Sequence, residues 1–189
     1  MNRAPGEAHR IERWLATVRF GLAIAALFAI WIDPSEIGYS WWSYWLLSFY
    51  FLYGVVVVIL LRFRQQSTLA FRLAVHGLDI LWPVLISAFA TEERNAFFLF
   101  FVFVLAAAAY RWGLWKTFET ASFAVVLLWI ENFVVPWAES LLMRHGLPRL
   151  GVDVAQLEPK HLFMRSVYLL MMGLLLGYMA KQQKKLRAV

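Results

Sequence analysis

Six stretches of this chain are almost free of charge, and each is bounded by charged residues or turn formers. They cover residues 14–32, 41–61, 69–90, 96–112, 116–137 and 161–180. A helix needs about 20 mainly apolar residues to cross a hydrocarbon core about 30 Å thick. Asp33-Pro34 stops the first stretch, Arg62 and Arg64 end the second, and "TEERN" ends the third. The fourth is short, which suits a helix standing nearly upright or starting within the interface. The pattern predicts an all-α, polytopic membrane protein with six transmembrane helices. A short segment, 1–13, precedes the helical domain of 14–180, and a charged helical extension, 181–189, follows it. Between the last two spans, residues 138–160 open with "AESLLMRHGL" and then turn at Pro148 and Gly151. An amphipathic piece of that kind is expected to lie on the membrane surface.

The basic residues orient these spans. Arg3, Arg10, Arg13, Arg19, Arg62, Arg64, Arg72, Arg111, Lys116, Lys181, Lys184, Lys185 and Arg187 fall toward the side of the N-terminus. Arg94, Arg144, Arg149, Lys160 and Arg165 fall toward the other, so thirteen of the eighteen Lys and Arg share one side. The positive-inside rule then places both termini in the cytoplasm. Trp31, Tyr39, Trp41, Trp42, Tyr44 and Trp45 gather at the outer interface, and Trp14, Trp112 and Trp115 at the inner one, as in an aromatic belt. A box of rings around a flat, apolar ligand fits the same residues.

Composition agrees with a lipid solvent. The chain is 62% hydrophobic, 17% aromatic and only 16% charged. Soluble domains are nearer a quarter charged. The net charge of +6 does not point to nucleic acid, because the basic residues sit at the ends of apolar runs. There is no cysteine, which removes disulfides, thiolate metal sites and cysteine nucleophiles. The first apolar run lacks a small-residue cleavage site, so it reads as a span and not as a removed leader.

Charges inside the apolar runs carry the chemistry. In "RLAVHGLDILWP", Arg72, His76 and Asp79 lie four and three residues apart and share one helix face. His76 is about 10 Å and Asp79 about 15 Å along that helix, while Arg72 is near enough to the inner end to snorkel. An aspartate near the bilayer midplane costs about 2.5–3.5 kcal/mol on insertion scales, so it must face the bundle interior. Two readings of the trio compete: a polar clamp that fixes helix packing, and a signal-sensing or proton-responsive site using the titration range of histidine. Pro83, in the same span, is a candidate hinge. Glu131 with Arg165, and Arg19 with Glu119, fall at matching depths and are candidate ion pairs between helices. Gly173 and Gly177 form a GxxxG, and Gly21, Ala25 and Ala29 a similar ladder. Each marks close packing, either between two copies of the chain or within one.

Motifs for catalysis are missing. The chain has no GxSxG, no GxxxxGK[ST] and no HExxH, and no cluster suited to zinc. Only His76 of the four histidines is deep, which does not suit bis-histidine haem within one chain. The two three-helix halves show no visible repeat, so an inverted-repeat transporter has no support of that kind. No cofactor and no metal are expected.

The stretches "HGLDILWPVLISAF", "NAFFLFFVFVLAAAAYRWG" and "RSVYLLMMGLLLGYMAKQQKKLR" resemble the six-helix membrane sensor module of certain bacterial sensor histidine kinases. The resemblance covers roughly residues 13–187. It implies a module in the bacterial cytoplasmic membrane that works as a homodimer. Its last helix would pass a signal through a charged segment to GAF and kinase domains. The chain departs from that pattern in having no GAF domain, no phosphoacceptor histidine box and no ATP-binding motif, so it is not expected to be an enzyme by itself. "KQQKKLRAV" is a helix former without a Gly or Pro stop, which suggests the membrane part of a longer protein. The alternatives are a small transporter or proton-conducting protein using His76 and Asp79, and a structural subunit of a larger membrane complex. The expected partners are the bilayer and a second copy of the chain.

Overall fold

The computed structural model describes residues 5–32, 41–63, 68–89, 98–145 and 159–186. They form six helices: α1 (Pro5–Ile32), α2 (Trp41–Phe63), α3 (Leu69–Phe89), α4 (Phe98–Arg111), α5 (Leu114–Arg144) and α6 (Pro159–Leu186). Each apolar run has become a helix. Four of the helices are long and apolar enough to cross a membrane, at Tyr44–Phe63, Leu69–Ser87, Leu114–Ala138 and Pro159–Gln183. Several helices run past the apolar stretches that predict them. α1 begins at Pro5, whose fixed φ suits the start of a helix. α5 continues through Pro136 to Arg144, so the first residues of the expected surface piece are the last turns of α5. The rest of that piece, 146–158, lies outside the described residues.

Helices that follow one another in the chain run in opposite directions. α4 is the hub: it packs on α1, α3, α5 and α6, while α2 packs on α1 and α3. At 14 residues α4 is about 21 Å long, too short to present a full span to lipid, and nine of its residues are buried. One end of the bundle gathers the start of α1, the end of α4, the start of α5 and the end of α6, and is called the terminal end below. The turn from α4 to α5 lies there and is tight. Gly113 takes φ of 95°, and Trp112 N donates to the Ala108 carbonyl at 2.9 Å. A left-handed residue just past a helix end is where glycine has no steric cost, and it closes the last carbonyls of α4.

Large apolar side chains cover much of the surface, and the interior holds four charges. Phe28, Leu52, Leu81, Phe133 and Leu175 are exposed, whereas Arg19, Asp79, Glu12 and Arg111 are buried. That inversion is the arrangement a bilayer requires. The apolar part of the core includes an aromatic group in which Tyr50 meets the edges of Trp82 and Phe100 at 5.8 and 5.1 Å.

Candidate functional site

The buried charges form a ladder that starts near the terminal end. Glu12 and Arg19 are seven residues apart on α1 and so lie on one face, two turns from each other. Each meets a partner of opposite sign. Arg19 grips Asp79 of α3 with two parallel bonds, Nε to Oδ1 at 2.8 Å and Nη2 to Oδ2 at 2.5 Å. Arg111, the last residue of α4, grips Glu12 in the same way, Nε to Oε1 at 2.9 Å and Nη2 to Oε2 at 2.7 Å. The remaining nitrogen of Arg111, Nη1, stands 3.9 Å from Asp79 Oδ2 and joins the two pairs. The order along the ladder is Glu12, Arg111, Asp79, Arg19, so the signs alternate and the four charges sum to zero. Exposures are 2% for Glu12, 6% for Arg111, 1% for Asp79 and 0% for Arg19. Charges so far from water survive only when paired and hydrogen-bonded. Tyr53 of α2 adds a further donor, 3.3 Å from Asp79 Oδ1 and 3.1 Å from the Val75 carbonyl. Its ring lies 5.5 Å beneath the Arg19 guanidinium.

His76 extends the ladder to α5, and the donors fix its tautomer. Arg111 Nη1 lies 3.3 Å from His76 Nδ1. Arginine can only donate, so Nδ1 must carry a lone pair. His76 Nε2 then holds the proton and donates to Thr120 Oγ1 at 3.1 Å. Thr120 passes its own hydroxyl proton to the Lys116 carbonyl at 2.8 Å. The chain Arg111, His76, Thr120, Lys116 is directional throughout and requires a neutral imidazole. The ring also rests edge-on against Trp112, centroids 4.7 Å apart.

No protein-family model, no curated protein and no solved structure matches the chain.

The expected trio is therefore only partly one site. His76 and Asp79 meet in the ladder through Arg111. Arg72 lies one turn before His76 and is half-buried, and its Nε is buried without a hydrogen-bond partner. The expected pairing of Arg19 with Glu119 is corrected: Arg19 belongs to Asp79, and Glu119 bonds Lys116 at 2.6 Å on the surface. Adjacent residues on a helix point about 100° apart. Because Thr120 faces His76, Glu119 turns outward. Glu131 accepts from Ser87 Oγ at 3.1 and 3.2 Å, and the charge of Arg165 acts on it across α5 and α6. Pro83 is buried inside α3. Having no N–H, it leaves the Asp79 carbonyl without its helical donor. Among the described residues no group of three or more His, Cys, Asp or Glu is placed to hold a metal.

Gly173 and Gly177 are occupied within the chain, chiefly by α5. A Cβ at Gly173 would stand 2.7 Å from Ala121 Cβ, and one at Gly177 would stand 3.0 Å from Leu114 Cα. Gly21 and Ala25 are exposed, and a Cβ at Gly21 meets nothing within 4 Å. Gly21→Ala is therefore expected to stabilise the monomer slightly, by at most about 1 kcal/mol, through better helix propensity. Loss of stability on unfolding in detergent would reveal a partner on that face.

Glu12, Arg111, Tyr53, Thr120 and Ser87 were not singled out by the sequence. Glu12 and Arg111 look like end-of-helix charges, and nothing in the pattern separates a terminal charge that turns inward from one that faces water.

Proposed function

We propose that the chain is a six-span sensory module of the bacterial cytoplasmic membrane, working as a homodimer with both termini in the cytoplasm. It relays a stimulus through α6 to a cytoplasmic histidine-kinase output domain. The resemblance described above supports this reading. So does one structural observation, which carries it: α5 touches the buried charge ladder and the output helix with the same few turns. Thr120 holds His76, while Leu114 and Ala121 fill the surface of α6 at Gly177 and Gly173. A rearrangement of the ladder thus has a short path to α6. That helix is continuous from Pro159 to Leu186 and ends among exposed charges such as Lys181 and Lys185. Because its backbone bonds are internal, it moves as a unit when its contact with α5 changes.

The test uses the absence of native cysteine. Spin labels at Arg62→Cys on α2 and Lys185→Cys on α6, in bilayer nanodiscs, report the position of the end of α6. Thr120→Val, which removes the acceptor for His76, is expected to shift that distance distribution. Unchanged distributions in Thr120→Val, His76→Gln and Asp79→Asn would remove the relay.

A further inference from the structure

We propose that Glu131 is a proton-binding site at the end of the bundle opposite the terminal end, and that its charge state sets how firmly α6 is held there. The second half rests on the relay reading above, which puts that end outside the cytoplasm.

The geometry is that of a proton switch with a hydroxyl as its rotor. Glu131 is about 26 Å along α5 from Leu114, and Ser87 about 27 Å along α3 from Leu69, so both belong to the far part of the bundle. Glu131 is half-buried, whereas Asp79 is sealed. Ser87 Oγ is equidistant from the two carboxylate oxygens, at 3.2 and 3.1 Å. It also stands 2.8 Å from the carbonyl of Val84 on its own helix. One hydroxyl proton cannot serve both acceptors well at once. With Glu131 charged, the proton points to the carboxylate. With Glu131 protonated, the carboxyl donates to Ser87 Oγ, and the Ser87 proton turns to Val84. Both states keep the Ser87–Glu131 hydrogen bond with the heavy atoms where they stand, so α3 and α5 need not move against each other when the site takes up or releases a proton.

The contrast with the ladder supports the choice of this carboxylate. Asp79 is sealed and held by two bonds from Arg19, and His76 is fixed as a neutral acceptor by Arg111. Glu131 instead has one neutral hydroxyl donor from α3 and the charge of Arg165 from α6. The titratable groups of α4, Tyr110 and Arg111, lie at its terminal end, and among the described residues of α3 the polar group at this site is Ser87. Among the described residues, this part of α6 also carries Lys160, His161 and Tyr168, with His161 one turn before Arg165 and Tyr168 about one turn after it. Protonation of Glu131 removes one of the charges acting on Arg165, and so weakens the hold on the far end of α6.

The experiment is infrared difference spectroscopy of the full chain in nanodiscs, titrated from acid to alkaline pH. A carboxylic-acid C=O band that titrates in the native protein, is missing in Glu131→Gln and remains in His161→Gln supports the site. A titration unchanged in Glu131→Gln overturns it. Should Glu131→Gln fail to fold, dicyclohexylcarbodiimide tests the native protein, because it reacts with protonated carboxyls in apolar surroundings. A pH-dependent adduct on Glu131, found by mass spectrometry, supports the site, and its absence at acid pH overturns it. Spin labels at Met143→Cys and Phe163→Cys, both exposed positions, read the far ends of α5 and α6 in parallel. A titrating band with a still α6 keeps the proton site and removes the relay. A still band removes the proton site whatever α6 does.

Discussion

Arg19→Met is expected to destabilise the protein by about 3–5 kcal/mol, the range found when one partner of a buried ion pair is removed. The loss is larger than the net worth of the pair, because the Asp79 carboxylate stays behind without its two donors. Arg111 cannot take over fully. Its Nη1 is 3.9 Å from Asp79, and its other two donors are committed to Glu12. The double variant Arg19→Met with Asp79→Leu is expected to regain most of the loss, since removing both charges removes the desolvation penalty as well. Asp79→Asn is expected to cost less than Asp79→Leu, because the amide oxygen still accepts from Arg19 and Tyr53. Reversible unfolding in mixed micelles, followed by tryptophan fluorescence, measures all four. Additive losses in the double variant would mean that Arg19 and Asp79 do not act as a pair.

The sequence made part of this ladder legible, for an energetic reason. A carboxylate at the depth of Asp79 has to turn inward, and His76 shares its face, so the pattern alone marks both as candidates. Their partners were not legible. Helical periodicity gives the face of a residue but not which helix lies opposite. The pairing of Arg19 with Glu119 rested on matched depth alone, and depth does not say which helix lies opposite. Arg111 was read as a topology charge because the positive-inside rule counts a terminal arginine in the same way wherever it points. The six helices were plain from the apolar runs, whereas their ends were not. The fifth run was expected to end at Trp137, yet α5 continues to Arg144. GxxxG likewise shows that some backbone approaches closely, without saying whose. Here it is that of α5.

The α5–α6 contact carries the second large effect. Gly173→Ala is expected to lower stability by about 1–3 kcal/mol, the usual cost of forcing an extra carbon into a packed interface. The new Cβ would stand 2.7 Å from Ala121 Cβ, closer than two methyl groups can approach. Because the obstacle is one side-chain carbon, Ala121→Gly should rescue it. Gly177→Ala is expected to cost as much and to resist that rescue. Its new Cβ would meet the Leu114 Cα at 3.0 Å and the Leu114 carbonyl oxygen at 3.2 Å. Backbone at the start of α5 is fixed by the Gly113 turn, where Thr117 bonds the Gly113 carbonyl through both its amide, at 3.1 Å, and its hydroxyl, at 2.9 Å. Only a displacement of α6 relieves that clash. The label pair at Arg62→Cys and Lys185→Cys should therefore report a shifted α6 in Gly177→Ala, and a nearly native one in Gly173→Ala with Ala121→Gly. Equal rescue of both glycine variants by Ala121→Gly would mean that α6 meets α5 in a different register.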